Sequence, residues 1–152
     1  MAKAVGISLP ISMKHSREIC KLIKKKNLQK AKEILEKVSK MEKAVPFTRF
    51  NKNVGHKRGM SSGRYPIKAV LEIKKLVENV EHNAQFKGLS VNKLNIVHAA
   101  VKLASRPLHF GRFRGRKIRR AHVEIVVEEV EPTMNKEKLK KNQKKREEVF
   151  TK

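Results

Sequence analysis

Between Ala104 and Arg120 the sequence places Arg106, Arg112, Arg114, Arg116, Lys117, Arg119 and Arg120 with no carboxylate among them. Residue type sharpens the chemistry open to such a run. Arginine presents a planar fork of donors that engages phosphate oxygens in pairs, keeps its charge, and stacks on exposed bases, whereas lysine acts as a point charge. All but one of these cations are arginine. Phe110 and Phe113 stand among them, placed either to stack on unpaired bases or to close the loop as a small hydrophobic cluster. Gly111 and Gly115 let the backbone approach a ligand closely. A segment of this kind repels itself and needs a polyanion to lie against, with RNA the first candidate.

A second basic stretch lies in the middle of the chain. Glu42 and Glu72 bracket an interval without acids that holds Lys43, Arg49, Lys52, Lys57, Arg58, Arg64 and Lys68, interspersed with Phe47, Phe50 and Tyr65. Its glycines Gly55, Gly59 and Gly63 and the Ser61–Ser62 pair indicate a loop rather than a packed element. The charge makes it a second RNA-contacting surface, the alternative being a solvated, mobile insertion. No Gly-Lys-Ser or Gly-Lys-Thr closes it, so it is not a phosphate loop. Lys14 and Arg17, early in the first helix, complete the candidate RNA-binding cations, which are Lys14, Arg17, Arg49, Lys57, Arg58, Arg64, Arg106, Arg112, Arg114, Arg116, Lys117, Arg119 and Arg120.

Other chemistries lack the residues they need. The six histidines fall on different elements, with no His-x-x-x-His or His-x-x-Glu-His spacing, so no metal site is expected. The chain has no Asp, and Glu124 and Glu128, which share a strand face, read as solvated or lysine-paired rather than as an acid–base pair. Ser8, Ser61 and Ser62 have no nucleophile-elbow context. Neither catalysis nor a cofactor is expected. Cys20 is the only cysteine, which excludes a disulfide framework, and its place in a helical apolar pattern makes it a core thiol.

The elements that must carry these cations follow from periodicity. Apolar alternation over Ile96–Leu103, with Val97, Ala99, Val101 and Leu103 on one face, and over Ala121–Val130, with Val123, Ile125 and Val127 on one face, predicts two arms of an antiparallel hairpin. If each half of the loop continues an arm, the tip stands about 25 Å beyond the body, at about 3.3 Å per strand residue. Val5, Ile7, Leu9 and Ile11 alternate up to a break at Pro10, which predicts an edge strand added to the hairpin's base. Ser12 or Ser16 caps a first helix with Ile19, Cys20 and Ile23 as its stripe. Asn27 restarts a second, whose stripe is Leu28, Ala31, Ile34, Leu35, Val38 and Met41. Pro66 suits the first turn of a third, with Ile67, Val70, Ile73, Val77, Val80 and Ala84 facing the core and Lys87–Gly88 ending it.

The fold class is therefore α+β: a three-stranded antiparallel sheet packed against three helices, with a long protruding β-hairpin. The 152 residues suit one domain, 1–132, including the 43–65 insertion and the 94–131 hairpin, followed by a basic tail over 133–152 too polar to fold unaided. A formal charge of +24, from 38 Lys and Arg against 14 Glu, favours a working state bound to something anionic. No apolar run approaches the ~18 residues that span a bilayer, and Met1–Ile11 lacks a secretory pattern, so a cytoplasmic location is expected.

Several segments also carry a family likeness. Ile11–Ser12, Arg17, Leu22–Ile23, Leu28, Ala31 and Ile34–Leu35, then Asn83–Ala84 and Gly88–Leu89, and finally Arg112-Phe113-Arg114-Gly115-Arg116 ahead of His122-Val123-Glu124-Ile125, resemble ribosomal protein twenty-two of the large subunit. The likeness covers roughly Ala2 to Glu131, and the insertion from Val45-Pro46-Phe47 to Gly63-Arg64-Tyr65-Pro66 is similar to the archaeal and eukaryotic branch, numbered seventeen in eukaryotes. The resemblance implies a small body on large-subunit rRNA near the peptide exit, with the hairpin lining the tunnel beside large-subunit ribosomal protein four. It implies assembly and scaffolding of rRNA, contact with neighbouring ribosomal proteins and with the nascent polypeptide, no homo-oligomer, and no catalysis. On this likeness Phe110, Gly111, Arg112, Phe113 and Arg114 would be the tunnel-lining residues, although the loop between Pro107 and His122 is several residues shorter than in bacterial relatives, which shortens their reach. The reading of a different class is a DNA architectural protein with a basic β-ribbon arm.

Overall fold

The computed structural model describes residues 1–129, with Phe113 described in its backbone alone. The chain runs β1 (Ala2–Leu9), α1 (Met13–Ile23), α2 (Leu28–Ser39), β2 (Val45–Pro46), β3 (Gly63–Arg64), α3 (Ile67–Phe86), β4 (Leu94–Leu103) and β5 (Ala121–Glu129). Short 3-10 turns occupy Val91–Lys93 and Gly111–Phe113. β1, β5 and β4 form an antiparallel sheet in that order, so the fold is the α+β arrangement expected and β1 is the added edge strand. The expected tail, 133–152, and the last two residues of the expected hairpin arm, 130–131, lie outside the described residues.

The helices form where apolar residues recur at three and four. Leu28, Ala31, Leu35 and Val38 are fully buried on α2, while Val70, Ile73, Val77, Val80 and Ala84 are buried along α3. Burying one such large side chain contributes about 1.5–3 kcal/mol, which outweighs helix propensity as the force holding these elements. Asn27 starts α2 by accepting the Gln29 N–H at 2.9 Å. Ser12 is the N-cap of α1 but makes no side-chain cap bond. Pro66 stands at the N-cap of α3, one position ahead of the first turn expected for it. Gly88, at φ +70°, lets the chain leave α3 in the left-handed conformation.

Two strand phases differ from the sequence expectation. The register of β4 against β5 shifts between Ile96 and His98, so Val97 is an extra residue. The inward set is therefore Leu94 and Ile96 before the bulge and Ala99 and Val101 after it; Val97 leaves the expected face, 42% exposed, while Leu103 keeps it but stands at the edge of the core, 57% exposed. On β1 the alternating Val5 and Ile7 face outward, and the inward positions are Ala2, Ala4 and Gly6. Helix α3 approaches closely there: a Cβ on Gly6 would lie 2.9 Å from Leu76 Cδ1 and 2.7 Å from Leu9 Cδ1. A side chain at Gly6 would have to displace both leucine tips.

The insertion also differs from what its sequence predicts. It was expected as a loop without packing, but β2 and β3 pair, and Ala44, Val45, Phe47 and Ser62 are buried. Few apolar anchors are needed because polar bonds to α1 finish the attachment. Beyond Leu103 and Ala121 the hairpin stays paired, with Ala104 N–H donating to Arg120 O, Ile118 N–H to Pro107 O and His109 N–H to Arg116 O. The loop halves thus continue the arms as far as His109 and Arg116.

Candidate nucleic-acid interface

Helix α1 brings the two basic stretches together. Glu18 lies on the face of α1 that carries Lys14 and Lys21, away from the Ile19–Cys20–Ile23 stripe, and is 2% exposed because the insertion covers it. Its carboxylate accepts the backbone N–H groups of Arg49 at 2.9 Å, Phe50 at 3.2 Å and Thr48 at 3.3 Å, and the Thr48 hydroxyl at 3.2 Å. Burial alone would raise the pKa of this carboxyl, but donation from Arg49, Thr48 and Phe50 outweighs it and holds the group below its ordinary value. Lys21 Nζ donates to Thr48 Oγ1 at 2.7 Å on the outer side. One ionised side chain therefore fixes the direction in which Thr48–Phe50 leave the core.

That direction gathers cations. The Phe50 ring is approached by Arg49 at 5.4 Å and by Lys14 and Arg17 at 5.8 Å each, so three positive groups from two elements gather at one aromatic ring. Arg17 is further tied to β4 through the Val101 carbonyl at 3.4 Å. Next to this cluster a cleft of about 450 Å³ opens between the start of α1, the insertion and the base of the hairpin. Lys14, Arg64, Arg106, Arg119 and Arg120 line it together with His15 and Asn51. His15 is half-buried, and burial, with Arg64 and Arg119 adding like charge, holds its pKa below the ordinary value. Its ring stands edge-on to Phe47, centroids 5.5 Å apart and planes at 84°.

The other sequence candidates are placed apart. Lys57 lies over the Tyr65 ring at 5.7 Å, and Arg58 is exposed in the insertion. Arg112, Arg114, Arg116 and Lys117 are exposed at the far end of the hairpin, with Phe110 at 90% exposure and Gly111 at φ +75°. An exposed Phe110 is not part of a cluster that closes the loop. Lys117 is bridged through its backbone to Leu108.

Glu18, His15 and Asn51 were not among the sequence candidates. None of the three carried a local signal: Glu18 is out of phase with the apolar stripe of α1, and the role of each depends on which segments meet. The salt bridges among the described residues are Lys32–Glu81, Lys74–Glu36 and Lys75–Glu72, all on α2 and α3. No carboxylate among the described residues pairs with Lys14, Arg17, Arg49, Arg64, Arg106, Arg119 or Arg120. The salt bridges among the described residues are thus on α2 and α3, and the cations of α1, the insertion and the hairpin base are left without one.

Comparison with known proteins agrees with this distribution. The family model described as ribosomal protein L22p/L17e matches residues 4–128. A protein of Ignicoccus hospitalis named large ribosomal subunit protein uL22 is 45% identical over 141 residues, covering 86% of this chain and 89% of the relative. Proteins of the same name from Methanoculleus marisnigri and Archaeoglobus fulgidus are 44% and 42% identical, covering 86% and 84% of this chain and 90% and 87% of the relatives. With the matched span running from the edge strand to the returning arm of the hairpin, the chain belongs to the ribosomal protein L22p/L17e family.

Proposed function

We propose that this protein is a structural constituent of the large ribosomal subunit that binds and organises rRNA, with its hairpin helping to line the nascent-peptide exit tunnel. The observation that carries this reading is the convergence of Lys14, Arg64, Arg106, Arg119 and Arg120 on one cleft beside the Lys14–Arg17–Arg49 cluster. Phosphates neutralise such a surface, and base-stacking arginines suit folded RNA. The names of the relatives support the same assignment. Residues 1–132 act as one domain with 133–152 as a basic extension. The working location is the large subunit in the cytoplasm, beside neighbouring ribosomal proteins, protein four at the tunnel among them. At the tip, Phe110, Gly111, Arg112, Phe113 and Arg114 meet the nascent polypeptide. The protein has no catalytic role.

The test is co-sedimentation with large subunits in a sucrose gradient, joined to rRNA filter binding. Changing Arg112, Arg114 and Arg116 together to Ala leaves helix content unchanged, weakens rRNA binding, and lowers the slope of log affinity against log salt by about 2–3. Unaltered binding and slope would remove the tip from the interface. Absence of the wild type from large subunits would refute the assignment.

A further inference from the structure

The cleft beside α1 is concave and mixed in character. Tracking a phosphate backbone requires charge but no depth. Here there is depth: about 450 Å³, within the ~300–1,000 Å³ of sites that enclose a small organic ligand. Arg64, Arg106 and Arg119 supply guanidinium forks, while Met13, Leu103 and the His15 ring supply apolar and planar wall. The wall is firm at His15, which rests against buried Phe47. Held below its ordinary pKa, His15 meets a ligand at neutral pH as an uncharged ring with one donor and one acceptor, which suits a base edge better than a phosphate.

We infer that this cleft receives a single unstacked ribonucleotide, its phosphate on the arginine forks and its base against His15, Met13 and Leu103. The inference rests on the RNA-binding reading above and adds to it that one base is taken out of its stack and enclosed. Unpaired bases of structured RNA are splayed out in this way and held on rings or guanidinium planes. A backbone-only contact would leave the apolar wall without a purpose.

The experiment titrates the full-length protein with AMP and, separately, with inorganic phosphate, following the Met13 and Leu103 methyl groups and the His15 ring by NMR. AMP moves these signals and binds about tenfold more tightly than phosphate, the gain coming from base contact. Leu103→Ser, at a position 57% exposed and therefore compatible with folding, removes most of that gain and leaves phosphate binding unchanged. With rRNA the same variant weakens binding at an unaltered salt slope, since no cation is lost. Equal binding of AMP and phosphate, or AMP shifts confined to the hairpin tip, would overturn the inference. So would rRNA binding indifferent to Leu103→Ser, while the RNA-binding reading itself would stand. Failure of the wild type to bind rRNA at all would refute both.

Discussion

Glu18→Ala removes the acceptor that holds the basic insertion against α1, and the structure sets the size of the loss. Four donors converge on this carboxylate, but only the Arg49 N–H, at 2.9 Å, has the length of a strong bond. The Phe50 N–H at 3.2 Å, the Thr48 N–H at 3.3 Å and the Thr48 hydroxyl at 3.2 Å are longer. Hydrogen bonds to charged groups contribute ~1.5–3 kcal/mol net; taking the low end for Arg49 and about a third of it for each longer bond gives about 3 kcal/mol in all. The loss is capped by the cost of releasing Thr48–Phe50 into water, where their N–H groups find new partners. At about 2–4 °C per kcal/mol for a chain of this size, the melting temperature falls by about 6–12 °C. Circular dichroism measures the melt, and amide hydrogen exchange localises it: protection of Thr48, Arg49 and Phe50 collapses first while α2 and α3 retain theirs. Glu18→Gln keeps one carbonyl acceptor but turns an NH₂ toward N–H donors, so it falls between the two. Unchanged protection of those three amides, with a melting temperature within about 2 °C of wild type, would refute the role of Glu18 as the anchor.

The same group makes the insertion sensitive to acid. Its folded pKa lies below the ordinary 4.5, so its stabilisation is complete above about pH 4.5 and fades as pH falls through the folded value; the amide shifts of Thr48–Phe50 therefore move together in an acid titration, and do not in Glu18→Gln. Cys20 provides a check on the core: burial pushes its thiol up to about 12, so a thiol reagent at pH 8 labels it only as fast as the protein opens, and labelling at the rate of a free thiol would contradict the packing of α1.

Sequence periodicity was sufficient where one element buries one continuous face. The stripe on α3 from Val70 to Ala84 and the alternation Val123, Ile125, Val127 on β5 carry their own phase, so both elements were legible. Phase was lost at Val97, because a bulge leaves the alternation intact on paper while exchanging the faces on either side of it. It was inverted on β1, where Val5 and Ile7 are the larger residues yet face outward, while Gly6 meets the Leu76 tip of α3. The packing of the insertion is not legible in the sequence, since its main attachment runs between backbone N–H groups and a side chain about 30 residues earlier, a bond that leaves no local pattern. Among the site residues, charge and residue type were evident from composition, and the separation of acids from arginines was visible along the chain. The meeting of Lys14, Arg64 and Arg106 in one cleft was not, because it is fixed by tertiary packing.

The carboxylate nest at Thr48–Phe50 has a consequence for loss of the insertion. Were the segment from Lys43 to Tyr65 deleted and the ends rejoined, Glu18 would lose all four of the donors that hold its carboxylate. The acid at this position of the first helix has its structural use only where the segment is present.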